Sequence, residues 1–264
     1  MINWLAGQEH TLEPPPVREL PVVEIFGPTL QGEGSLVGQR TMFVRFGYCD
    51  GAGRSGWCRW CDSMEAVNPV NKDKWVSMTP QAIANALVAK SLKTGCRDVT
   101  FTGGNPLLHE LDPLLYILSK DKEPWMKNVE TQGTIFKPWL YGIDIVHVSP
   151  KPPSAGTWSQ KAFIDFMDKL LANPFREGQE INLKIVVNPE RDDDYTFART
   201  LANQYSGIVN DIYLSALSDT ETTLWRLSTT TRQLAEKVIA DPEMPDVKVG
   251  FQFHKFLWGD VKGV

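Results

Sequence analysis

The chain has 264 residues, with 27 Lys and Arg against 32 Asp and Glu, a formal net charge of −5. Hydrophobic residues at 42% and charged residues at 22% exclude wholesale disorder and fibrous repeats, and leave material for one sizeable core. The acidic balance argues against a general nucleic-acid binder, no run approaches 18 apolar residues, and the start lacks a secretory pattern, so a cytoplasmic protein without membrane or nucleic-acid partners is expected.

Residues 1–20 read as an N-terminal extension, stiffened by Pro14, Pro15 and Pro16. Residues 21–264 read as one domain. Apolar β-rich runs at 22–26, 41–47, 98–102, 128–131, 144–149, 182–187, 211–214 and 247–253 predict strands. Thr79-Pro80 supplies an N-cap and a first-turn proline for a helix carrying Ile83, Leu87 and Val88. Helical spacing of apolar residues recurs at 107–119, 159–172 and 222–240. The acidic run Asp192-Asp193-Asp194 reads as a solvated helix start favoured by the helix dipole. Residues 152–156 are the one other candidate linker, and they do not divide the chain into self-sufficient halves. Strands alternating with helices predict an α/β domain with a parallel sheet.

Several predicted strands end in a polar or glycine-rich signature. Residues 41–47 run into three cysteines, and 99–102 into Gly103-Gly104-Asn105-Pro106. Glu130-Thr131 runs into Gln132-Gly133, and 146–148 into Ser149-Pro150-Lys151. Ligands of parallel α/β sheets and barrels bind at the carboxyl ends of the strands, so four loaded ends on one rim describe one active-site face.

Cys49, Cys58 and Cys61 fall within 13 residues, and Cys96 stands apart. Thiolates in this arrangement suit zinc or an iron–sulfur cluster. Structural zinc requires a fourth ligand; His10 and His109 are conceivable, but neither has zinc-motif spacing. Cys96 precedes the strand ending near Thr102, which places it roughly 20 Å away, towards the opposite rim.

Taken together, Glu24-Ile25-Phe26, Thr29-Leu30-Gln31-Gly32-Glu33-Gly34, Phe43-Val44-Arg45-Phe46, Cys58-Arg59-Trp60-Cys61-Asp62-Ser63, Thr102-Gly103-Gly104-Asn105-Pro106, Glu130-Thr131-Gln132-Gly133-Thr134, Val148-Ser149-Pro150-Lys151 and Gln252-Phe253-His254-Lys255 appear in order. Over residues 22–264 this order resembles the 7-carboxy-7-deazaguanine synthases, radical S-adenosylmethionine (SAM) enzymes of 7-deazapurine (queuosine-type) biosynthesis. The resemblance implies an incomplete, distorted (β/α)6-type radical SAM partial barrel. It also implies a homodimer and a lyase that converts 6-carboxy-5,6,7,8-tetrahydropterin to 7-carboxy-7-deazaguanine with loss of ammonia. It implies a [4Fe–4S] cluster on Cys49, Cys58 and Cys61, Mg²⁺ at Ser63, and a flavodoxin- or ferredoxin-type reductant. The matching SAM positions are Trp60, Asp62, Gly104, Ser149, Lys151 and Ser215. The matching substrate positions are Leu30, Gln31, Gly32, Arg45, Thr102, His254 and, through its terminal carboxylate, Val264.

The sequence departs from the family pattern in four places. Eight residues separate Cys49 from Cys58, Asn105 stands where Glu is common, Gln132 replaces Asn, and Ser63 replaces Thr. Other readings of the same residues are open. Arg45 is either a solvated strand residue or an inward guanidinium that forks onto a carboxylate. On residue type alone Lys151 reads as a solvated lysine and His254 as a structural histidine, and the C-terminal tail reads as frayed. A glycyl-radical-enzyme activase and a zinc-bound adaptor are the alternative functions.

Overall fold

The computed structural model describes residues 18–52, 56–173, 177–218, 222–259, 261 and 263. The extension expected at 1–20 therefore falls outside the described residues except for its end. In chain order the elements are β1 (Leu20–Leu30), β2 (Arg40–Phe46), α1 (Met64–Val67), β3 (Val76–Met78), α2 (Pro80–Thr94), β4 (Asp98–Gly103), α3 (Asp112–Ser119) and β5 (Met126–Thr131). They continue with β6 (Ile145–Val148), α4 (Gln160–Leu171), β7 (Glu180–Val187), α5 (Asp192–Tyr205), β8 (Asp211–Ala216), α6 (Leu224–Ala240), β9 (Lys248–Gly250) and α7 (Phe253–Trp258).

The strands form one sheet in the order β3-β1-β2-β4-β5-β6-β7-β8-β9. Pairing is parallel from β2 through β9, as the alternation predicts. β1 is antiparallel to both β2 and β3, so the sheet is mixed. It does not close: β3 and β9 lie at opposite ends of the order. The incomplete barrel expected from the motifs is the fold observed.

Four elements differ from expectation. β3 is too short, at three residues, to show a period. The helix expected over 107–119 begins at Asp112, because Pro106 opens a separate 3-10 turn over Pro106–Leu108, capped by the Asn105 side chain. The strand expected over 247–253 stops at Gly250, and Phe253 and His254 open α7 instead. The candidate linker at 152–156 is a 3-10 turn with Ser154 and Ala155 buried.

The helices cover one face of the sheet. Odd positions of β7 (Ile181, Leu183, Ile185, Val187) join Val99, Phe101, Val129, Val146, Val148 and Leu214 in the core. Against them pack Ile83 and Leu87 of α2, Leu114 of α3, Phe163 and Phe166 of α4, Leu201 of α5 and Leu234 of α6. The intervening strand positions are polar: Thr100 and Thr102, Asn128, His147, Asn182 and Lys184 are all buried. A strand that alternates apolar and polar normally turns its polar side to water. Here the polar side lines the concave interior. That alternation creates the site.

Candidate active site

A cavity of about 330 Å³ lies over the concave face and is bounded by strand ends, the 31–33 turn and α7. Cys49, Cys58, Cys61 and Ser63 line it, with Trp60, Asp62, Gly104, Ser149, Lys151 and Ser215. So do Leu30, Gln31, Gly32, Arg45, Thr102 and His254. The structure thus brings together every site residue expected from the sequence except Val264, which lies outside the described residues. Ser215 belongs to β8 itself, one residue before that strand ends.

The cysteine wall is built by close backbone approach. Gly103 has φ +136°, and a Cβ there would lie 2.1 Å from the Phe46 carbonyl oxygen. A Cβ on Gly104 would lie 1.9 Å from the Tyr48 carbonyl oxygen and 2.9 Å from the Cys49 Cβ. Only glycine lets the end of β4 run against the chain leading into Cys49. Asn105 N donates to the Tyr48 carbonyl at 2.9 Å and locks the two strand ends together.

Asp50, next to Cys49, ties three strand ends. Its carboxylate accepts from Asn105 Nδ2 at 2.8 Å, and from Gln132 Nε2 and Thr134 Oγ1. Asn105 and Gln132 are two of the four departures from the family pattern, and both amides turn to this one carboxylate. A Glu at position 105 would bring a second negative charge against it. The other wall of the cysteine loop is the 152–157 turn. Arg59 N donates to the Ala155 carbonyl at 3.1 Å, and Cys58 Sγ lies 3.6 Å from Thr157 Oγ1. Trp60 Nε1 donates to Ser154 Oγ at 3.0 Å.

Burial pushes the Cys49 thiol up to about 11 and raises Cys61, while Lys151 opposes both shifts. Lys151 Nζ donates to Ser149 Oγ at 3.0 Å. Among the described residues, no three His, Cys, Asp or Glu side chains converge on a single-ion site. His109 does not line this cavity; its ring Nε2 donates to the Gly47 carbonyl at 2.8 Å. His10 lies outside the described residues; three thiols on one wall without a fourth partner among the described residues do not fit structural zinc, and they do fit a polynuclear cluster that spreads its ligands over several metal atoms. At the mouth, Ser63 Oγ donates to Asp62 Oδ1 at 3.1 Å, an oxygen pair suited to a hard cation.

The floor is a buried charge network whose lysine, Lys184, belongs to none of the motifs. Lys184 Nζ of β7 donates to Glu33 Oε2 and lies 3.6 Å from Glu130 Oε1. Glu130 also accepts from Thr102 Oγ1 at 2.9 Å and Gln31 Nε2 at 3.2 Å. Burial alone would raise the Glu130 carboxyl, but the Lys184 ammonium more than reverses this and holds it well below the usual range. Burial would likewise lower Lys184, and Glu130 and Glu33 instead push it above its ordinary value. Gln31 Oε1 accepts from Gly32 N at 2.7 Å, so the amide orientation and the turn geometry are set together. Arg45 points inward: its Nε donates to Glu24 Oε1 at 2.8 Å, and its guanidinium lies 5.7 Å over the Phe26 ring.

Beneath the turn, His147 Nε2 accepts from Ser35 N at 3.2 Å, which requires the neutral Nδ1–H tautomer. Burial pushes this imidazole down to about 4. Asn182 Nδ2 donates to Ser35 Oγ at 3.0 Å. At the other end of the turn, a Cβ on Gly32 would lie 2.1 Å from His254 Nδ1, so Gly32 makes room for α7. Phe253 N donates to the Gly32 carbonyl at 2.9 Å.

No family model matches the chain. It is 36% identical over 252 residues to the 7-carboxy-7-deazaguanine synthase of Bacillus cereus, covering 93% of this chain and 99% of the relative. Its identity to the Bacillus subtilis 7-carboxy-7-deazaguanine synthase is 35% over 253 residues, covering 93% and 98%. Among solved structures, QueE from Escherichia coli superposes with a TM-score of 0.60 at 22% identity, over 89% of this chain and 95% of that one. SuiB of Streptococcus suis superposes with a TM-score of 0.51 at 13% identity, over 78% of this chain and 47% of that one.

Proposed function

The chain belongs to the 7-carboxy-7-deazaguanine synthase family, and from that premise we infer that it is a radical SAM lyase making 7-carboxy-7-deazaguanine. Its substrate on this reading is 6-carboxy-5,6,7,8-tetrahydropterin, and ammonia is lost. The observation that carries the reading is the single cavity in which three thiols, an inward arginine and a buried acid–lysine floor meet.

Cys49, Cys58 and Cys61 would hold three irons of a [4Fe–4S] cluster. Gly104, Ser149, Lys151, Ser215, Trp60 and Asp62 would cradle SAM beside it. Bound there, the cluster and SAM supply one-electron chemistry that opens the ring contraction. Arg45 offers a guanidinium fork to the substrate carboxylate, and Ser63 an oxygen ligand to a Mg²⁺ shared with substrate. Glu130, oriented by Thr102, Gln31 and Lys184, presents a fixed acceptor to the amino and ring N–H groups of a pterin. Leu30, Gly32 and His254 close the cavity around it. A fixed acceptor needs little reorganisation as charge moves in the substrate.

A homodimer and a flavodoxin- or ferredoxin-type electron donor belong to the same proposal. Among the described residues no helix is long and apolar enough to cross a membrane. The activase and zinc-adaptor readings have no support in the relatives. The test is anaerobic reconstitution with iron and sulfide, then incubation with the tetrahydropterin, SAM, Mg²⁺ and reductant. Deazaguanine product supports the assignment; a colourless, zinc-only protein or absent product overturns it.

A further inference from the structure

Asp194 was expected on a solvated helix start, yet its exposure is 0%. Asp192 and Asp193, its neighbours in the run, are exposed. The Asp194 carboxylate accepts three hydrogen bonds: from Ser154 N at 2.9 Å, Ser154 Oγ at 2.6 Å and Asn188 N at 3.1 Å. With its proton given to Asp194, Ser154 Oγ is free to accept, and what it accepts is the Trp60 indole N–H at 3.0 Å. The donor directions run one way, Trp60 to Ser154 to Asp194, with no proton shared or missing.

Each link joins a different element. Trp60 lies between Cys58 and Cys61, Ser154 lies in the turn after β6, and Asp194 opens α5. Trp60 lines the cavity, while Asp194 is not part of its lining. We propose that Asp194 is a positioning residue which, through the Ser154 hydroxyl, sets the Trp60 indole on the cofactor wall of the cavity. The proposal rests on the synthase reading for the identity of that cofactor. A charged acceptor strengthens a hydrogen bond and polarises the next one in the chain, so the carboxylate stiffens an indole two bonds away. The competing role is purely local: an acid at the third position of α5 that reaches back to Asn188 N, as helix-capping acids do.

The two roles separate at Ser154. In the full-length chain, freed of metal and labelled with ¹⁵N-tryptophan, the Trp60 indole resonance is assigned by its loss in W60F. It should shift and lose exchange protection in S154A, and keep both in S154T, which retains the hydroxyl. D194N should move it in the same direction if that variant folds. In the reconstituted protein, S154A should weaken SAM binding about tenfold with iron content unchanged. In the W60F background, S154A should add about twofold or less, because coupled residues are not additive. An indole signal unmoved by S154A, or a full tenfold loss in the W60F background, overturns the proposal. A wild-type chain that takes up neither iron nor SAM overturns the synthase reading, while the indole signal still decides the Trp60–Ser154–Asp194 chain.

Discussion

The rim and the floor of the cavity are held by different physics. The rim residues sit on loops, held by main-chain contacts and one side-chain tie: glycines 103 and 104 against Phe46 and Tyr48, the 152–157 turn against Arg59, and the Asp50 carboxylate against side chains that follow β4 and β5. The floor residues sit on strands or in the 31–36 turn, and buried charge fixes them: Lys184 between Glu33 and Glu130, with His147 under Ser35. A rim built from loops can lose a thiol and keep its shape, since none of these contacts runs through a cysteine sulfur. A floor built from buried ions cannot lose one partner without exposing the others to an uncompensated charge. Rim substitutions should therefore show in loading, and floor substitutions in stability.

The largest expected effect tests the rim. Cys58→Ala or Cys61→Ala should abolish iron retention and SAM cleavage, with the melting temperature of the metal-free chain within a degree or two of wild type. Cys96→Ala should leave iron untouched. Cys96 is buried before β4, where its Sγ lies 3.6 Å from the Arg40 carbonyl, at the opposite end of the strand from Gly103. Iron loss in the Cys96 variant, or collapse of the metal-free chain in the Cys58 variant, would break the comparison on the rim side.

Lys184→Met should do the opposite. Removing the ammonium leaves Glu33 and Glu130 buried as like charges, at a cost of about 3–5 kcal/mol in chemical denaturation. A double variant with Glu33→Gln should recover part of that loss, because the pair is coupled. A Lys184→Met chain as stable as wild type would show that the floor charges are solvated, and the contrast with the rim would vanish.

The contrast also explains what could be read from the sequence. Rim residues are contiguous: Cys58, Trp60, Cys61, Asp62 and Ser63 occupy six positions, and Gly103-Gly104 announces itself as a turn. Floor residues are spread over the 31–36 turn and over β4 to β7 at one per strand or so, and no short motif contains Lys184 or His147. Their signal is the alternation of Asn182 and Lys184 with Ile181, Leu183 and Ile185, whereas strands of a parallel sheet covered by helices on both faces are apolar on both. A partial barrel departs from that rule, because helices cover only its outside. The buried Asp194 was missed for a related reason: three consecutive acids read as solvent-facing, whereas helical geometry turns one of them inward. The antiparallel start of the sheet was not legible at all, since β1 carries no period that distinguishes it from a parallel edge.

A pH experiment sharpens the floor side. His147 is held neutral by burial, its ring pushed down to about 4 against an ordinary value near 6.5. As pH falls below about 6.5 the unfolded chain takes up this proton first, so folding loses stability from there down to about pH 4. By pH 5 the loss from this residue should be about 2 kcal/mol. His147→Gln removes the titration, so its stability should fall less steeply than wild type between pH 7 and 5. Parallel slopes for the two proteins would place the acid sensitivity elsewhere.

The smallest effect belongs to the rim's outer edge. Ser63 Oγ donates to its neighbour Asp62, and Ser63 opens α1 without a side-chain capping bond. Ser63→Ala therefore removes no fold contact of weight, and stability should stay within about 0.5 kcal/mol of wild type. If the hydroxyl is a Mg²⁺ ligand, the variant should need several-fold more Mg²⁺ for half-maximal turnover while SAM affinity stays unchanged. Ser63→Thr keeps the oxygen and should restore the wild-type requirement. The floor makes a separate forecast for this variant: Glu130 and Lys184 are untouched, so the substrate KM at saturating Mg²⁺ should match wild type. A raised KM at saturating Mg²⁺ would mean that the mouth and the floor act as one unit.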